Sequence, residues 1–122
     1  QGNITAVRRD TGEKLIFSRD ELTKKVFEIL NLIQNNLYQK AEKFLSDNTN
    51  DADSYDEFKK ILLERHGFIS VFWCENEKCE KKIKEETKAT TSCLPLECEE
   101  QDGKCVDCGK LAKYKWLFGQ AY

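Results

Sequence analysis

Cys74-Glu75-Asn76-Glu77-Lys78-Cys79 and, twenty-five residues further on, Cys105-Val106-Asp107-Cys108-Gly109 are the two stretches on which the fold turns. Paired thiols flanking a compact segment suit a single tetrahedral zinc ion, and a zinc held by four thiolates keeps no open position for a substrate. Such a site stabilises a fold and leaves chemistry to other groups. The second pair is the sharper signal: a two-residue gap lets both sulfurs turn toward one metal, and Gly109 supplies the positive φ of a tight knuckle. The first pair has a gap of four, and the intervening segment is long enough for a helix and a strand.

Six cysteines also allow a disulfide framework, with fifteen connectivities. The absence of cysteine from the first 73 residues, where two long helical patterns need no stapling, argues against it. Within the metal reading, Cys93-Leu94-Pro95-Leu96-Glu97-Cys98 competes as a half-site, because its gap is also four. Spacing alone does not choose. The knuckle glycine favours Cys105 and Cys108 as one half. Cys93 falls in a strand-like stretch, Thr90 to Leu96, kept extended by Pro95, and is expected to pack as a small apolar residue. Cys98 is expected to be a free loop thiol.

Working outward, Phe68 to Trp73 is aromatic and β-branched and reads as a buried strand that delivers Cys74. Glu75 to Thr87 alternates acid and base, with Glu77/Lys81 and Glu80/Lys84 four apart, as on a solvated helix. Ala112 to Phe118 reads as a half-buried final strand. Upstream, Ser54-Tyr55-Asp56-Glu57 is a capping box that opens a helix over about 54–65, with Gly67 as its stop. Asp47 to Asp53 is polar and reads as a mobile loop. Ser18-Arg19-Asp20-Glu21 is an earlier capping box. Behind it Leu22, Val26, Leu30, Ile33, Leu37, Ala41 and Phe44 keep helical spacing to about residue 46. Phe27, Ile29 and Tyr38 fall off that stripe and point to a second contact face. Asn3 to Arg8 and Lys14 to Phe17, joined through Asp10-Thr11-Gly12, form a hairpin. Together these elements predict an α/β (α+β) chain, with a two-layer domain whose strand ends are tied by a metal.

With 122 residues, a third of them charged and a formal net charge of −2, the composition is that of one soluble domain and not of a general nucleic-acid binder. No apolar run approaches 18 residues and no secretory leader opens the chain, so no membrane partner is expected and the thiols are expected to be reduced, in the cytoplasm. The chain opens on Gln1 and holds no methionine, which reads as a piece of a longer protein. His66, the only histidine, sits where a helix ends and is expected to be partly buried or to balance helix-end charge. No nucleophile–base or paired-carboxylate arrangement is apparent.

Several segments together resemble the carboxy-terminal part of the prolyl-tRNA synthetases of the archaeal and eukaryotic cytoplasmic type, which are class II aminoacyl-tRNA synthetases. Arg8-Arg9-Asp10-Thr11-Gly12-Glu13-Lys14 is similar to the last strands of the family's anticodon-binding domain, and Ile33 to Tyr38 to the helix that follows it. Phe72-Trp73-Cys74 with Cys79, Ile83 to Thr90, Cys93-Leu94-Pro95, Lys104-Cys105 through Lys110, Ala112-Lys113-Tyr114 and Tyr122 are similar to its zinc-bearing appendage. The resemblance implies three parts: the end of the anticodon-binding domain (1–17), a linking helix (18–47) and a zinc-binding C-terminal domain (48–122). It implies a βαβαββ-like appendage, similar to the C-terminal domain of a bacterial translation initiation factor, holding structural zinc (Zn2+) through Cys74, Cys79, Cys105 and Cys108. The parent would be a homodimeric ligase that joins proline to tRNA(Pro) through a prolyl-adenylate made with ATP and Mg2+, neither of them bound by this piece. Its partners would be the upstream catalytic and anticodon-binding domains, with the carboxylate of Tyr122 directed at the catalytic domain. Arg8, Arg9, Lys110, Lys113 and Lys115 are the candidates for tRNA contact. Two other classes stay open at this point: a free-standing zinc-ribbon module for RNA or protein, and a small secreted disulfide domain.

Overall fold

A computed structural model describes residues 2–121, and the chain divides into two units, Gln1–Ser46 and Asp47–Tyr122. In the first, β1 (Asn3–Val7) and β2 (Lys14–Ser18) pair antiparallel, with Ile4 opposite Phe17 and Ala6 opposite Leu15. Gly12 takes φ 76° in the connecting turn, and its N–H donates to the Arg8 carbonyl at 2.8 Å. Alternation puts Ile4, Ala6, Leu15 and Phe17 on the covered face and leaves Val7 and Ile16 exposed. The Glu21 carboxylate returns to Ser18, accepting its hydroxyl at 2.9 Å and its N–H at 3.4 Å. The first turn there, Arg19–Glu21, is 3-10, and α1 (Leu22–Asp47) follows.

The apolar stripe on α1 is largely open, with Leu22, Val26, Leu30 and Leu37 between 38% and 55% exposed. Its half-buried positions are Lys25, Glu28, Ile29, Ile33 and Asn36. A two-stranded hairpin is too narrow to cover a helix of 26 residues.

The second unit is a four-stranded sheet in the order β3-β4-β8-β5, carrying two helices. Its strands are β3 (Thr49–Asp51), β4 (Phe68–Phe72), β5 (Ala89–Cys93) and β8 (Lys115–Gln120), and its helices are α2 (Tyr55–Glu64) and α3 (Glu77–Thr87). β3 runs parallel to β4, and β8 is antiparallel to both β4 and β5. The crossovers β3-α2-β4 and β4-α3-β5 advance in the same direction across the sheet, so a common right-handed sense puts both helices on one face. The core agrees: Phe58 and Leu62 of α2 and Cys79 and Ile83 of α3 are buried with Ile69, Val71, Trp73, Ala89 and Phe118. Phe58 and Phe118 meet edge to face at 5.8 Å, and Trp73 meets Phe118 in the same way at 6.0 Å. Each such fully buried side chain contributes about 1.5–3 kcal/mol of transfer free energy. The α+β, two-layer reading therefore holds, in the order βαβαββ with a short hairpin, β6 (Gly103–Lys104) and β7 (Leu111–Ala112), inserted before the last strand.

Four expectations are corrected. Asp47 to Asp53 is not simply a loop, because Thr49–Asp51 pairs with Phe68–Ser70. An edge strand wet on one side tolerates the polar residues that disguised it. Ala112 to Phe118 is not one strand: Leu111–Ala112 closes the β6–β7 hairpin and Lys115–Gln120 lies inside the sheet. Cys93 is exposed instead of packed, because β5 is an edge strand whose register shifts between Thr91 and Cys93. His66, expected to be partly buried or to balance helix-end charge, is exposed just beyond Arg65, which ends α2, so only the burial is overturned. Among the described residues, no helix is long and apolar enough to cross a membrane.

Candidate metal centre

Three elements converge on one group of thiols. β4 ends at Phe72, buried Trp73 anchors the chain beyond it, and Cys74 follows at once. Glu75 then takes φ 58°, turning the backbone into α3. Asn76 caps that helix, its side-chain oxygen accepting the Lys78 N–H at 2.9 Å, and the Cys79 N–H donates to the Asn76 carbonyl at 3.0 Å. Cys79 is thereby fixed in the first helical turn, buried and facing Cys74. The second half is the tip of the β6–β7 hairpin. The Cys105 N–H donates to the Lys110 carbonyl at 2.8 Å and the Gly109 N–H to the Cys105 carbonyl at 2.9 Å, with Gly109 at φ 70° as the knuckle requires. The Val106 N–H donates to the Phe72 carbonyl at 2.9 Å, locking the knuckle against the strand that delivers Cys74. Gly103 lies so close to the Phe72 ring that an added Cβ would stand 2.4 Å from it, so the hairpin backbone packs against that ring only because position 103 has no side chain.

The ligand atoms of Cys74, Cys79, Cys105 and Cys108 all lie within 4.8 Å of one another. Cys74 Sγ is 3.7 Å from Cys79 Sγ and 3.6 Å from Cys108 Sγ. Zinc–sulfur bonds of about 2.3 Å in a tetrahedron put sulfurs about 3.8 Å apart, whereas a disulfide requires about 2.05 Å. The observed separations fit a shared metal ion and not a bond, and all six cysteines are free thiols. Four close cysteines of this kind can bind a metal ion. Cys93 and Cys98 stand outside the group.

Protonation follows the same geometry. Burial pushes the Cys79 and Cys74 thiols upward, the latter opposed by a hydrogen bond from the Asn76 backbone. Cys108 is drawn down to about 7, chiefly because the Lys110 N–H donates to its sulfur. Four crowded thiols resist common ionisation, and a divalent cation removes that resistance by neutralising the thiolates it binds.

A second set of contacts supports the centre. Lys82 Nζ of α3 lies 2.5 Å from Asp107 of the knuckle, whose side chain is only 7% exposed. The Asp107 carboxylate holds the Lys82 ammonium above its ordinary range. Lys82 also sits over the Tyr55 ring, Tyr55 donates its hydroxyl to Glu86 at 3.0 Å, and Lys59 pairs with Glu86 at 2.6 Å. α2, α3 and the knuckle are thus linked through charged groups that no local spacing announces, since Lys82 and Asp107 lie 25 residues apart. The anticipated Glu77/Lys81 pair is present but long, at 3.9 Å and exposed, while Glu80 turns to the edge of β5 and accepts from the Thr91 hydroxyl and N–H.

Of the five basic residues singled out for RNA, three are engaged within the chain. Arg8 holds Asp10 at 2.8 Å and Glu13 at 3.3 Å, Lys113 holds Glu100 at 2.5 Å, and Lys115 holds Asp51 at 3.0 Å. Arg9 and Lys110 are exposed. Tyr122 lies outside the described residues.

The family model described as "Prolyl-tRNA synthetase, C-terminal" matches residues 55–122, which carry all four clustered thiols. A proline–tRNA ligase of Agathobacter rectalis is 46% identical over 117 residues, covering 95% of this chain and 24% of that protein. One from Natranaerobius thermophilus is 45% identical over 106 residues, covering 87% of this chain and 22% of that protein. The proline–tRNA ligase 2 of Bacillus thuringiensis subsp. konkukian is 40% identical along the whole chain, which spans 26% of it. The chain therefore spans about a quarter of the length of the curated relatives it matches. With over half of its residues matched by that model, the four-thiol knuckle included, the chain belongs to the prolyl-tRNA synthetase C-terminal family.

Proposed function

We propose that this chain is the C-terminal part of a proline–tRNA ligase and that it serves the parent as a zinc-stabilised structural and positioning appendage. Cys74, Cys79, Cys105 and Cys108 hold one zinc ion, which joins the end of β4, the start of α3 and the β6–β7 hairpin. The observation that carries the reading is the spacing of the sulfurs, with Cys74 Sγ 3.7 Å from Cys79 and 3.6 Å from Cys108, inside the segment matched by the family. Zinc supplies a cross-link here and no reaction, since four thiolates fill its coordination. Soft sulfur ligands in a tetrahedral set favour zinc over magnesium or calcium.

On this reading residues 1–17 are the last strands of an anticodon-binding domain, 18–47 a linking helix and 48–122 the zinc-binding domain. ATP and Mg2+ are used upstream, in a catalytic domain of the same cytoplasmic, homodimeric parent, which charges tRNA(Pro). The test is proline-dependent ATP–pyrophosphate exchange and tRNA(Pro) charging by the full-length parent and by residues 1–122 alone. The parent is expected to be active and this chain inert. Exchange by this chain, or a parent specific for another amino acid, would contradict the proposal.

A further inference from the structure

Two thiols stay outside the four-sulfur group. Cys93 closes β5 and is exposed, and Cys98 is half-buried. Cys93 stands opposite Leu117 of β8, and Cys98 Sγ lies 3.7 Å from the carbonyl of Lys115 on the same strand. The two cysteines therefore flank β8 at positions two residues apart, a rise of about 6.8 Å. A disulfide needs Cα atoms about 4.4–6.8 Å apart, so the turn between the two cysteines has to draw them together. The chain between them reverses through a turn in which the Cys98 N–H donates to the Pro95 carbonyl at 3.0 Å. Within that turn Pro95, Leu96 and Glu97 are exposed, Leu96 completely. The tip of the loop, Pro95 to Glu97, can thus move without uncovering a buried side chain.

We propose that Cys93 and Cys98 form a thiol–disulfide exchange site, modified by low-molecular-weight disulfides and independent of the metal centre. One thiolate attacks a sulfur of the small disulfide RSSR, giving a protein mixed disulfide and releasing one RSH. The other cysteine then attacks the protein sulfur of that mixed disulfide, forming the Cys93–Cys98 bond and releasing the second RSH. Two protein thiols are oxidised and one RSSR is reduced to two RSH, so no further oxidant is required. The closed form clasps the Leu94–Glu97 loop, exposed from Pro95 onward, against β8, and a reducing thiol reopens it.

The experiment treats the reduced 122-residue protein with oxidised glutathione and follows it by intact mass, peptide mapping and zinc content. The wild type is expected to lose two hydrogen atoms through a single Cys93–Cys98 link, with its zinc content unchanged. Cys93→Ser is expected to stop at a stable glutathione adduct on Cys98, and Cys98→Ser at one on Cys93. Stable adducts on both cysteines of the wild type, or bonds reaching Cys74 or Cys108, would overturn the proposal. Zinc measured before oxidation reports on the metal reading separately.

Discussion

Single residues carry sharply unequal weight. Cys108 completes the thiol group and is drawn down to about 7 by the Lys110 N–H, whereas Cys98 lies outside the group. Cys108→Ser is expected to abolish stoichiometric zinc and to lower the unfolding midpoint of the 47–122 unit by at least about 10 °C. Cys98→Ser should leave both unchanged, as read by metal analysis and calorimetry on the two variants side by side. Equal effects would mean that the ligand set is wrong. Gly67 offers a second test. It takes φ 130°, and a Cβ there would stand 2.1 Å from the Asn48 carbonyl, which accepts the Phe68 N–H where β4 begins. Gly67→Ala should cost at least about 2 kcal/mol in denaturant unfolding. Gly12→Ala, also at positive φ but facing open space, should cost only about 1 kcal/mol. Gly67 reads in the sequence as a helix stop, yet its strongest constraint is this close approach, which only the fold reveals.

Among the elements, the hairpin β1–β2 is fastened to α1 through one carboxylate, Asp10, whose side chain is nearly buried. Arg8 donates to both oxygens of Asp10, at 3.1 and 2.8 Å, and the Asn36 amide of α1 donates to the same carboxylate at 2.6 Å. The Arg8 hydrogen bonds, helped by Asn36, hold Asp10 down at about 2, against an ordinary 3.8. Because the folded value is the lower one, the contribution is complete above about pH 4 and is lost as pH falls through 2. Amide exchange in β1 and β2 should therefore accelerate across that window in the wild type, and Asp10→Asn should remove the step. A step that persists in Asp10→Asn would assign it to another carboxylate. β4 and α3 were legible from local signals: aromatic and β-branched content in Phe68–Trp73, and charge alternation after Cys74. β3 and the β6–β7 hairpin were not, because two- and three-residue strands owe their existence to a partner and carry no periodicity of their own. The knuckle pair, Cys105 and Cys108, was readable from its spacing and glycine; the other half was not, since Cys93 and Cys98 share the gap of four and Cys93 is exposed where packing was expected of it. The Lys82–Asp107–Tyr55–Glu86 set was not, since its members meet only after α2 and α3 settle on the sheet.

For the molecule as a whole, the two units have different sources of stability. Asp47–Tyr122 has a continuous core of aromatic and aliphatic side chains plus the thiol group, while α1 has no buried residue among those described. Phe27 is 66% exposed, so Phe27→Glu should shift the melting of this chain by less than about 2 °C. In the proposed full-length ligase, where the second face of α1 would meet a neighbouring domain, the same substitution should reduce tRNA(Pro) charging. Marked unfolding of the 122-residue protein would place Phe27 in its own core. The central claim, one zinc held by Cys74, Cys79, Cys105 and Cys108, is tested most directly by elemental analysis of the purified, reduced protein together with its intact mass. One zinc per chain and a mass with all six thiols reduced is the predicted result. A protein without zinc whose mass shows three disulfides would contradict the metal centre and the structural role built on it.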